Sequence, residues 1–236
     1  MVDDGSGCAG AVEDVVALGG ARLIRTERRG PAAARNAGAA AADGTFVCFT
    51  DDDCEPDREW VARLVDALSS GADVVAGTVE DGRPNDPLSG AWHAIVDYLG
   101  ETGSMAAGAF APSNNLACRT EIVRAIPFDE AYQGAAGEDR DWCARVVAEG
   151  YRIVVEPRAR VVHRQTLGLL GFLRQHFRYG KAAYSFRRPR GGLEGSSFYL
   201  RLLAYGFSRG FRTGFLVALA QIATAVGFVA ARARLR

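Results

Sequence analysis

Lysine is nearly absent from this 236-residue sequence, and its cysteines form no recognisable motif. Lys181 is the single lysine among 28 basic residues, and the five cysteines form neither a CxxC pair nor a regular ladder. Such scattered cysteines argue against a disulfide scaffold and against a zinc site built on cysteines, and they fit a reduced compartment. No charged-then-apolar leader opens the sequence. With 48% hydrophobic and 24% charged residues, the composition excludes the disordered and fibrous classes.

Acidic residues are nearly absent from the last third of the sequence. After residue 163 a single acid, Glu194, stands against thirteen basic residues, whereas residues 1–163 hold 27 acids and 15 bases. The net charge of zero therefore hides a balance of −12 followed by one of +12. This asymmetry predicts an acidic catalytic body with a basic tail that faces an anionic surface.

Short β-rich runs alternate with alanine-rich stretches in the first half, which is the pattern of an α/β layered sheet. An apolar run at 45–50 ends abruptly in acids, as a buried strand would, and 31–42 predicts a helix with proline in its first turn. Two small-residue loops are expected at 100–108 and 133–137. The other predicted strands are 22–26, 73–79, 115–118, 152–156 and 160–163, and the other predicted helices of this part are 60–68, 88–99, 120–126 and 139–149.

The tail predicts helices of a different character. Residues 167–186 and 198–211 form amphipathic patterns with arginine and aromatic residues, and 213–231 carry no charge. As a helix this last stretch would be ~28 Å long, about the thickness of a hydrocarbon core. Arginines flank both of its ends, which disfavours a single span. We therefore expect peripheral attachment at the cytoplasmic face of the membrane, with packing on the catalytic body or a dimer contact as the alternative.

Three consecutive acids, Asp51, Asp52 and Asp53, follow the predicted strand at 45–50. Carboxylates at the carboxyl end of a buried strand lie where open α/β sheets bind ligands. A hard divalent cation would relieve their mutual repulsion. The alternative is a solvated acidic turn that caps the following helix.

Three further features could carry chemistry. Glu138 and Asp139 lie at a loop-to-helix junction, where Asp139 is either a general base or a helix cap. His163 ends an extended run and is either a metal ligand or a structural hydrogen-bonding group. The segment VDDGS at 2–6 predicts a strand end whose acids accept hydrogen bonds from a nucleobase or ribose, or a plain turn.

Five segments, in this order and spacing, resemble the family 2 glycosyltransferases of the GT-A fold. They are VDDGS at 2–6, GPAAARNAG at 30–38, FTDDDCEP at 49–56, NNLACR at 114–119 and GEDRDWCARVVAEGYRI at 137–153. The resemblance covers roughly residues 2–165. It implies an α/β fold with a nucleotide-binding mixed sheet flanked by helices over 1–165, and a basic, aromatic and apolar helical tail over 166–236.

The resemblance also implies roles on the donor side. Asp51 would contact the donor ribose, and Asp52 would be the variable middle residue of the DxD motif. Asp4 would hold the base of the nucleotide, and Arg35 would lie near the base or the diphosphate.

On the metal and acceptor side, the resemblance implies that Asp53 binds the metal and that His163 is a further metal contact. Glu138 and Asp139 correspond to the ED pair of the family, with Asp139 as the base on the acceptor hydroxyl.

The implied activity is an inverting transfer from a nucleotide-sugar donor to a hydroxyl of a saccharide, lipid-linked or other acceptor. It would use Mg²⁺ or Mn²⁺, and we expect no nucleic-acid partner. The family begins with an apolar strand ahead of VDDGS, and Met1 here lies directly on the second strand. The alternatives are therefore an inactive pseudo-glycosyltransferase or fragment that acts as a binding subunit, and a sugar nucleotidyltransferase.

Overall fold

The computed structural model describes residues 1–102, 110–132, 136–188 and 195–233. Most of the two predicted small-residue loops, 100–108 and 133–137, lies outside these residues. The described strands are β1 (Val2–Asp3), β2 (Ile24–Arg25), β3 (Phe46–Thr50), β4 (Cys54–Pro56), β5 (Val74–Asp81), β6 (Asn115–Arg119) and β7 (Ile153–His163). The described helices are α1 (Ala9–Leu18), α2 (Pro31–Ala41), α3 (Trp60–Ser69), α4 (Pro87–Glu101), α5 (Thr120–Ala125), α6 (Glu138–Ala148), α7 (Leu169–Arg187), α8 (Ser196–Ser208) and α9 (Phe211–Ala233).

The strands form two sheets. β1 and β2 pair in parallel, and the other five form a mixed sheet in the order β3-β6-β5-β7-β4. Within the larger sheet β5 and β7 are parallel, and the remaining neighbours are antiparallel. The α/β class with a mixed sheet flanked by helices is thus the one that the sequence predicts.

Two apolar layers cover the larger sheet. Successive strand residues face opposite sides, so Val74 packs with Trp142 of α6 on one face while Val75 packs with Leu64 and Leu68 of α3 on the other. All five of these side chains are fully buried. The sheet is thus packed between α6 and α3, which positions the loops at its ends.

Three elements differ from the sequence prediction. The two short strands expected at 152–156 and 160–163 are one strand, β7, whose pairing with β5 shifts between Ala76 and Thr78. Pro157 lies in that irregular stretch, where a strand tolerates a residue without an N–H group. The unpredicted helix α1 has no side-chain cap, and β4 is only three residues long, so neither leaves a clear pattern in the sequence.

The tail helices pack against the body through α4. Phe172 of α7, Leu202 of α8 and Val217 of α9 form a buried cluster with Ala91 and Ala94 of α4. The predicted tail at 166–236 is therefore in contact with a helix of the predicted catalytic domain.

Helices α7 and α9 approach each other at two glycines. A Cβ atom at Gly180 would overlap the carbonyl oxygen of Thr224, and one at Gly227 would overlap that of Phe177. Helix α9 is the one helix in the described part of the chain long and apolar enough to cross a membrane, and only 22% of its most apolar stretch is buried.

Candidate active site

The acidic turn lies between β3 and β4, at one end of the larger sheet. The backbone N–H of Cys54 donates to the carbonyl oxygen of Asp51 over 3.2 Å, and the N–H of Arg164 donates to that of Asp53 over 2.8 Å. These bonds hold the turn against the end of β7. The side chain of Asp52 is exposed, whereas those of Asp51 and Asp53 are partly buried.

Arg35 joins this turn to the start of α6. From α2, its guanidinium donates to the Asp51 carboxylate over 3.0 Å and to the Glu138 carboxylate over 2.8 Å. The Arg35 and Glu138 side chains are only 12% and 5% exposed. The second oxygen of Glu138, Oε2, is buried and has no hydrogen-bond partner among the described residues. The guanidinium of Arg35 therefore connects the two acidic segments that the sequence singles out.

Asp139 follows Glu138 in the first turn of α6. Burial, and next the negative charge of Glu138, raise the pKa of the Asp139 carboxyl to about 6, while Arg35 opposes this shift. One carboxylate oxygen accepts the N–H of Arg140 over 2.7 Å. A carboxylate with a pKa close to neutrality is basic enough to take a proton from a hydroxyl group in a reaction.

Asp53, Cys54 and His163 form the second part of the site. Their ligand atoms all lie within 4.8 Å of one another. His163 Nε2 lies 3.3 Å from Asp53 Oδ2, and the Cys54 thiol donates to Asp53 Oδ1 over 3.8 Å. The hydrogen bond from His163 outweighs burial and holds the pKa of Asp53 below its usual value. A carboxylate and an imidazole at this separation fit a divalent cation.

Two aromatic residues that belong to no motif in the sequence lie behind His163. The rings of Trp92 and His93, on α4, lie 4.8 and 6.0 Å from the His163 ring between centroids. Burial lowers the pKa of the His93 imidazole and so favours its neutral form. Trp92 donates from Nε1 to the Tyr179 hydroxyl of α7 over 3.4 Å. An aromatic wall therefore holds the His163 ring, and its only sequence signal is the adjacent Trp92-His93 pair in a helix.

Asp4 lies directly after β1 and anchors the start of α2. Its carboxylate accepts the Thr26 hydroxyl over 2.6 Å and the N–H groups of Arg29 and Gly30 over 2.9 and 2.6 Å. Burial opposes ionisation, but these hydrogen bonds outweigh it and lower the pKa of Asp4. Because α2 carries Arg35, Asp4 and the acidic turn are linked through that helix.

Known glycosyltransferases resemble this chain in sequence. The sequence model described as Glycosyl transferase family 2 matches residues 1–106. The pre-mycofactocin glycosyltransferase of Mycobacterium tuberculosis is 32% identical over 198 residues, which are 78% of this chain and 41% of that protein. Glycosyltransferase AglE of Haloferax volcanii is 30% identical over 162 residues, which are 67% of this chain and 52% of that protein. The chain thus spans about half, or less, of the length of these curated relatives.

Solved structures share the fold. One is a mannosyltransferase from Pyrobaculum calidifontis, solved with GDP-Man and Mn²⁺, which superposes with a TM-score of 0.59 at 21% identity. The superposed region is 99% of this chain and 68% of the mannosyltransferase chain. Another is glucosyl-3-phosphoglycerate synthase from Mycobacterium tuberculosis, solved with Mn²⁺, UDP-glucose and phosphoglyceric acid. It superposes with a TM-score of 0.57 at 18% identity, over 83% of this chain and 69% of the synthase chain. The GT-A fold that the sequence resemblance implies is therefore confirmed.

Proposed function

Because residues 1–106 belong to glycosyl transferase family 2, we propose that the protein transfers a sugar from a nucleotide-sugar donor to an acceptor hydroxyl with inversion. The observation that carries this proposal is the ion-paired arrangement of Asp51, Arg35 and Glu138 next to a carboxyl of raised pKa, Asp139. It brings the turn proposed to bind the donor and the carboxyl proposed as the general base to one end of the sheet.

The donor binds at the acidic turn. Asp51 accepts hydrogen bonds from the ribose hydroxyls, with its orientation fixed by the 3.0 Å ion pair to Arg35. Asp4 accepts hydrogen bonds from the base of the nucleotide. Asp52 is exposed, and as the variable middle residue of the motif it makes no fixed contact with the donor. The solved structures of similar fold include complexes with GDP-Man and UDP-glucose, so a sugar linked to a nucleoside diphosphate is the donor class to test.

Asp53 and His163 hold a divalent cation, Mg²⁺ or Mn²⁺. When bound, such a cation stabilises the negative charge that develops on the departing nucleoside diphosphate. The 3.3 Å distance between the two side chains and the burial of His163 supply a preformed pair of ligands. Both solved relatives named above contain Mn²⁺, which supports this choice of cation.

Asp139 takes the proton of the acceptor hydroxyl as its oxygen attacks the anomeric carbon. Since attack comes from the face opposite to the departing diphosphate, the configuration inverts. Glu138 contributes by its negative charge, which raises the pKa of Asp139, and by its ion pair with Arg35.

The acceptor lies near a membrane surface at the cytoplasmic face, on the side of the tail helices. Phe215, Ile222, Val226 and Val229 are each more than half exposed along one side of α9. Arg209, Arg212 and Arg232 lie near its ends. An apolar helix face with flanking cations matches an interfacial helix on an anionic leaflet.

The test is donor turnover with defined variants. The purified full chain is incubated with UDP- and GDP-sugars, Mn²⁺ and candidate acceptors, and release of nucleoside diphosphate and the anomeric configuration of the product are measured. Asp51→Asn and Asp139→Asn should strongly slow transfer, and Asp66→Asn, on the exposed side of α3, should leave it unchanged. Retention of configuration, or full activity in both site variants, would contradict the proposal.

A further inference from the structure

The metal position contains a thiol that the roles proposed above do not use. Cys54 and His163 are directly opposite residues of the antiparallel pair β4 and β7. Opposite residues of such a pair project to the same face of the sheet. The pairing therefore places a sulfur atom beside the imidazole, although 109 residues separate the two in the sequence.

The distances match those of ligands around one small cation. In a tetrahedral zinc site, bond lengths of ~2.0–2.3 Å place a nitrogen and an oxygen ligand ~3.4 Å apart and a sulfur and an oxygen ligand ~3.6 Å apart. Here His163 Nε2 lies 3.3 Å from Asp53 Oδ2, and the Cys54 sulfur lies 3.8 Å from the other carboxylate oxygen, Oδ1. One ligand atom from each of the three side chains lies within 4.8 Å of the others, so these atoms can close around a single ion, with a fourth position open to water or a phosphate oxygen.

The donor set favours a softer ion than Mg²⁺ or Mn²⁺. Hard cations prefer oxygen ligands, whereas thiolate and imidazole favour Zn²⁺. With Cys54 as a thiolate and Asp53 ionised, two negative charges meet the charge of a divalent ion. The thiol proton passes to solvent when the ion binds.

We propose that Cys54 is a third protein ligand at the metal position and that Asp53, Cys54 and His163 together bind Zn²⁺ through oxygen, sulfur and nitrogen. Zn²⁺ then competes with Mn²⁺ for the position that donor transfer requires. The inference rests on the metal site of the proposed function, and it adds a ligand and a competing ion to that site.

The experiment uses Co²⁺ as a spectroscopic probe of the full-length, metal-free protein. A thiolate bound to Co²⁺ gives a sulfur-to-metal charge-transfer absorption in the near ultraviolet, so the spectrum reports sulfur ligation independently of turnover. We expect this band in the wild type and its loss in Cys54→Ser. Cys48→Ser is the matched control, because Cys48 is also partly buried but lies on β3 outside the cluster. It should keep the band.

Zn²⁺ and Mn²⁺ affinities supply the second measurement. Changing even an outer partner of a metal ligand costs about 10- to 100-fold in affinity, so Cys54→Ser should weaken Zn²⁺ binding at least tenfold and leave Mn²⁺ binding within about threefold. If Cys54→Ser does not fold, X-ray absorption at the zinc edge of the wild type tests whether sulfur is a ligand. We expect a sulfur atom at ~2.3 Å from the zinc ion.

The outcomes separate this inference from the proposed function. Bound Co²⁺ without the charge-transfer band, a band that survives Cys54→Ser, or a zinc spectrum without sulfur would overturn the role of Cys54 and leave the Asp53–His163 site intact. Failure of Mn²⁺, Co²⁺ and Zn²⁺ alike to bind would overturn both.

Discussion

Arg35 Nη1 donates to the carboxylate of Glu138 over 2.8 Å, although 103 residues separate the two in the sequence. Both side chains are almost fully buried, and Arg35 also pairs with Asp51. Removing one partner of a buried ion pair leaves an uncompensated charge in a medium of low polarity. This contact therefore links the stability of the fold with the positions of the acidic turn and of the start of α6.

Arg35→Met should lower the free energy of unfolding by about 3 kcal/mol, because Glu138 and Asp51 lose their cation and Glu138 stays buried. Chemical denaturation at pH 7 measures this. Arg158→Met is the matched control, since the Arg158 side chain is 71% exposed in its pair with Glu156 and exposed pairs contribute about 0–1 kcal/mol. Equal losses in the two variants would show that the Arg35 pairs contribute no more than surface pairs.

The sequence places Arg35 and Glu138 in the correct segments but does not predict their contact. The family resemblance assigns Arg35 to the donor and Glu138 to the ED pair, and neither assignment involves the other residue. Their meeting depends on how α2 and α6 pack on the same face of the sheet. Such packing is a property of the tertiary structure, and neither helix carries a local pattern that indicates its neighbour.

The rate of transfer should depend on the ionisation of Asp139. With a pKa of about 6, this carboxyl is protonated in acid and cannot act as a base, so kcat should fall about tenfold per pH unit below pH 6. A pH–rate profile at saturating donor and acceptor measures this.

Asp139→Asn should lower kcat by at least about 100-fold with little change in donor affinity, because general-base catalysis contributes about 10²- to 10⁴-fold. Turnover and donor titration of the same preparation give the two quantities. Equal losses in donor affinity and in rate would instead identify Asp139 as a structural cap of α6.

Ionisation of Asp139 also affects stability. Because its pKa is raised in the folded state from 3.8 to about 6, the folded protein binds more protons than the unfolded chain between these values. Its contribution to the free energy of unfolding is thus largest below pH 4 and decreases as the pH rises to 6. Denaturation of wild type and Asp139→Asn at pH 4 and pH 7 isolates this term, which should be absent in the variant.

Asp53→Ala should abolish metal-dependent turnover and leave the fold intact. The Asp53 side chain is about one-third exposed and its backbone, not its carboxylate, bonds to Arg164. Mn²⁺ titration should show a large loss of affinity while the circular dichroism spectrum stays unchanged. Normal activity of this variant with Mn²⁺ would contradict the assignment of Asp53 to the metal.

The metal position illustrates what a sequence pattern can and cannot indicate. The run of acids after an apolar stretch predicts the turn, and His163 is a candidate ligand from its place at the end of an extended run. Cys54 leaves no such signal, because a single cysteine has no CxxC spacing and β4 is only three residues long. Its place beside His163 follows from strand register, which a short strand does not specify locally.

The crossing of α7 and α9 should tolerate no side chain at its glycines. Gly180→Ala should lower the free energy of unfolding by about 1–3 kcal/mol, because the added methyl group would overlap the Thr224 carbonyl. Gly90→Ala in α4 is the matched control, since a Cβ there meets no atom within 4 Å and alanine favours a helix over glycine by about 1 kcal/mol. Thermal denaturation should therefore separate the two variants in opposite directions.

The exposed face of α9 should bind an anionic membrane surface. Val226 is 55% exposed on this face, whereas Val155 is 62% exposed on β7 of the catalytic body. Val226→Glu should weaken binding to phosphatidylglycerol vesicles at least about tenfold, because burial of a valine side chain contributes ~1.5 kcal/mol and the new charge is repelled. Val155→Glu is the control, because it adds the same charge outside the tail. It should bind the vesicles as tightly as the wild type does.

Salt distinguishes the two contributions to this binding. The arginines near the ends of α9 add about 1 kcal/mol each at an anionic leaflet, and salt screens this attraction, whereas the apolar contribution persists. Vesicle sedimentation in low and high salt should therefore show weaker but measurable binding of the wild type in high salt and none of Val226→Glu. If the wild type stays in the supernatant with anionic vesicles in low salt, the exposed apolar face does not bind membranes, and a second copy of the chain becomes the partner to test by its oligomeric state.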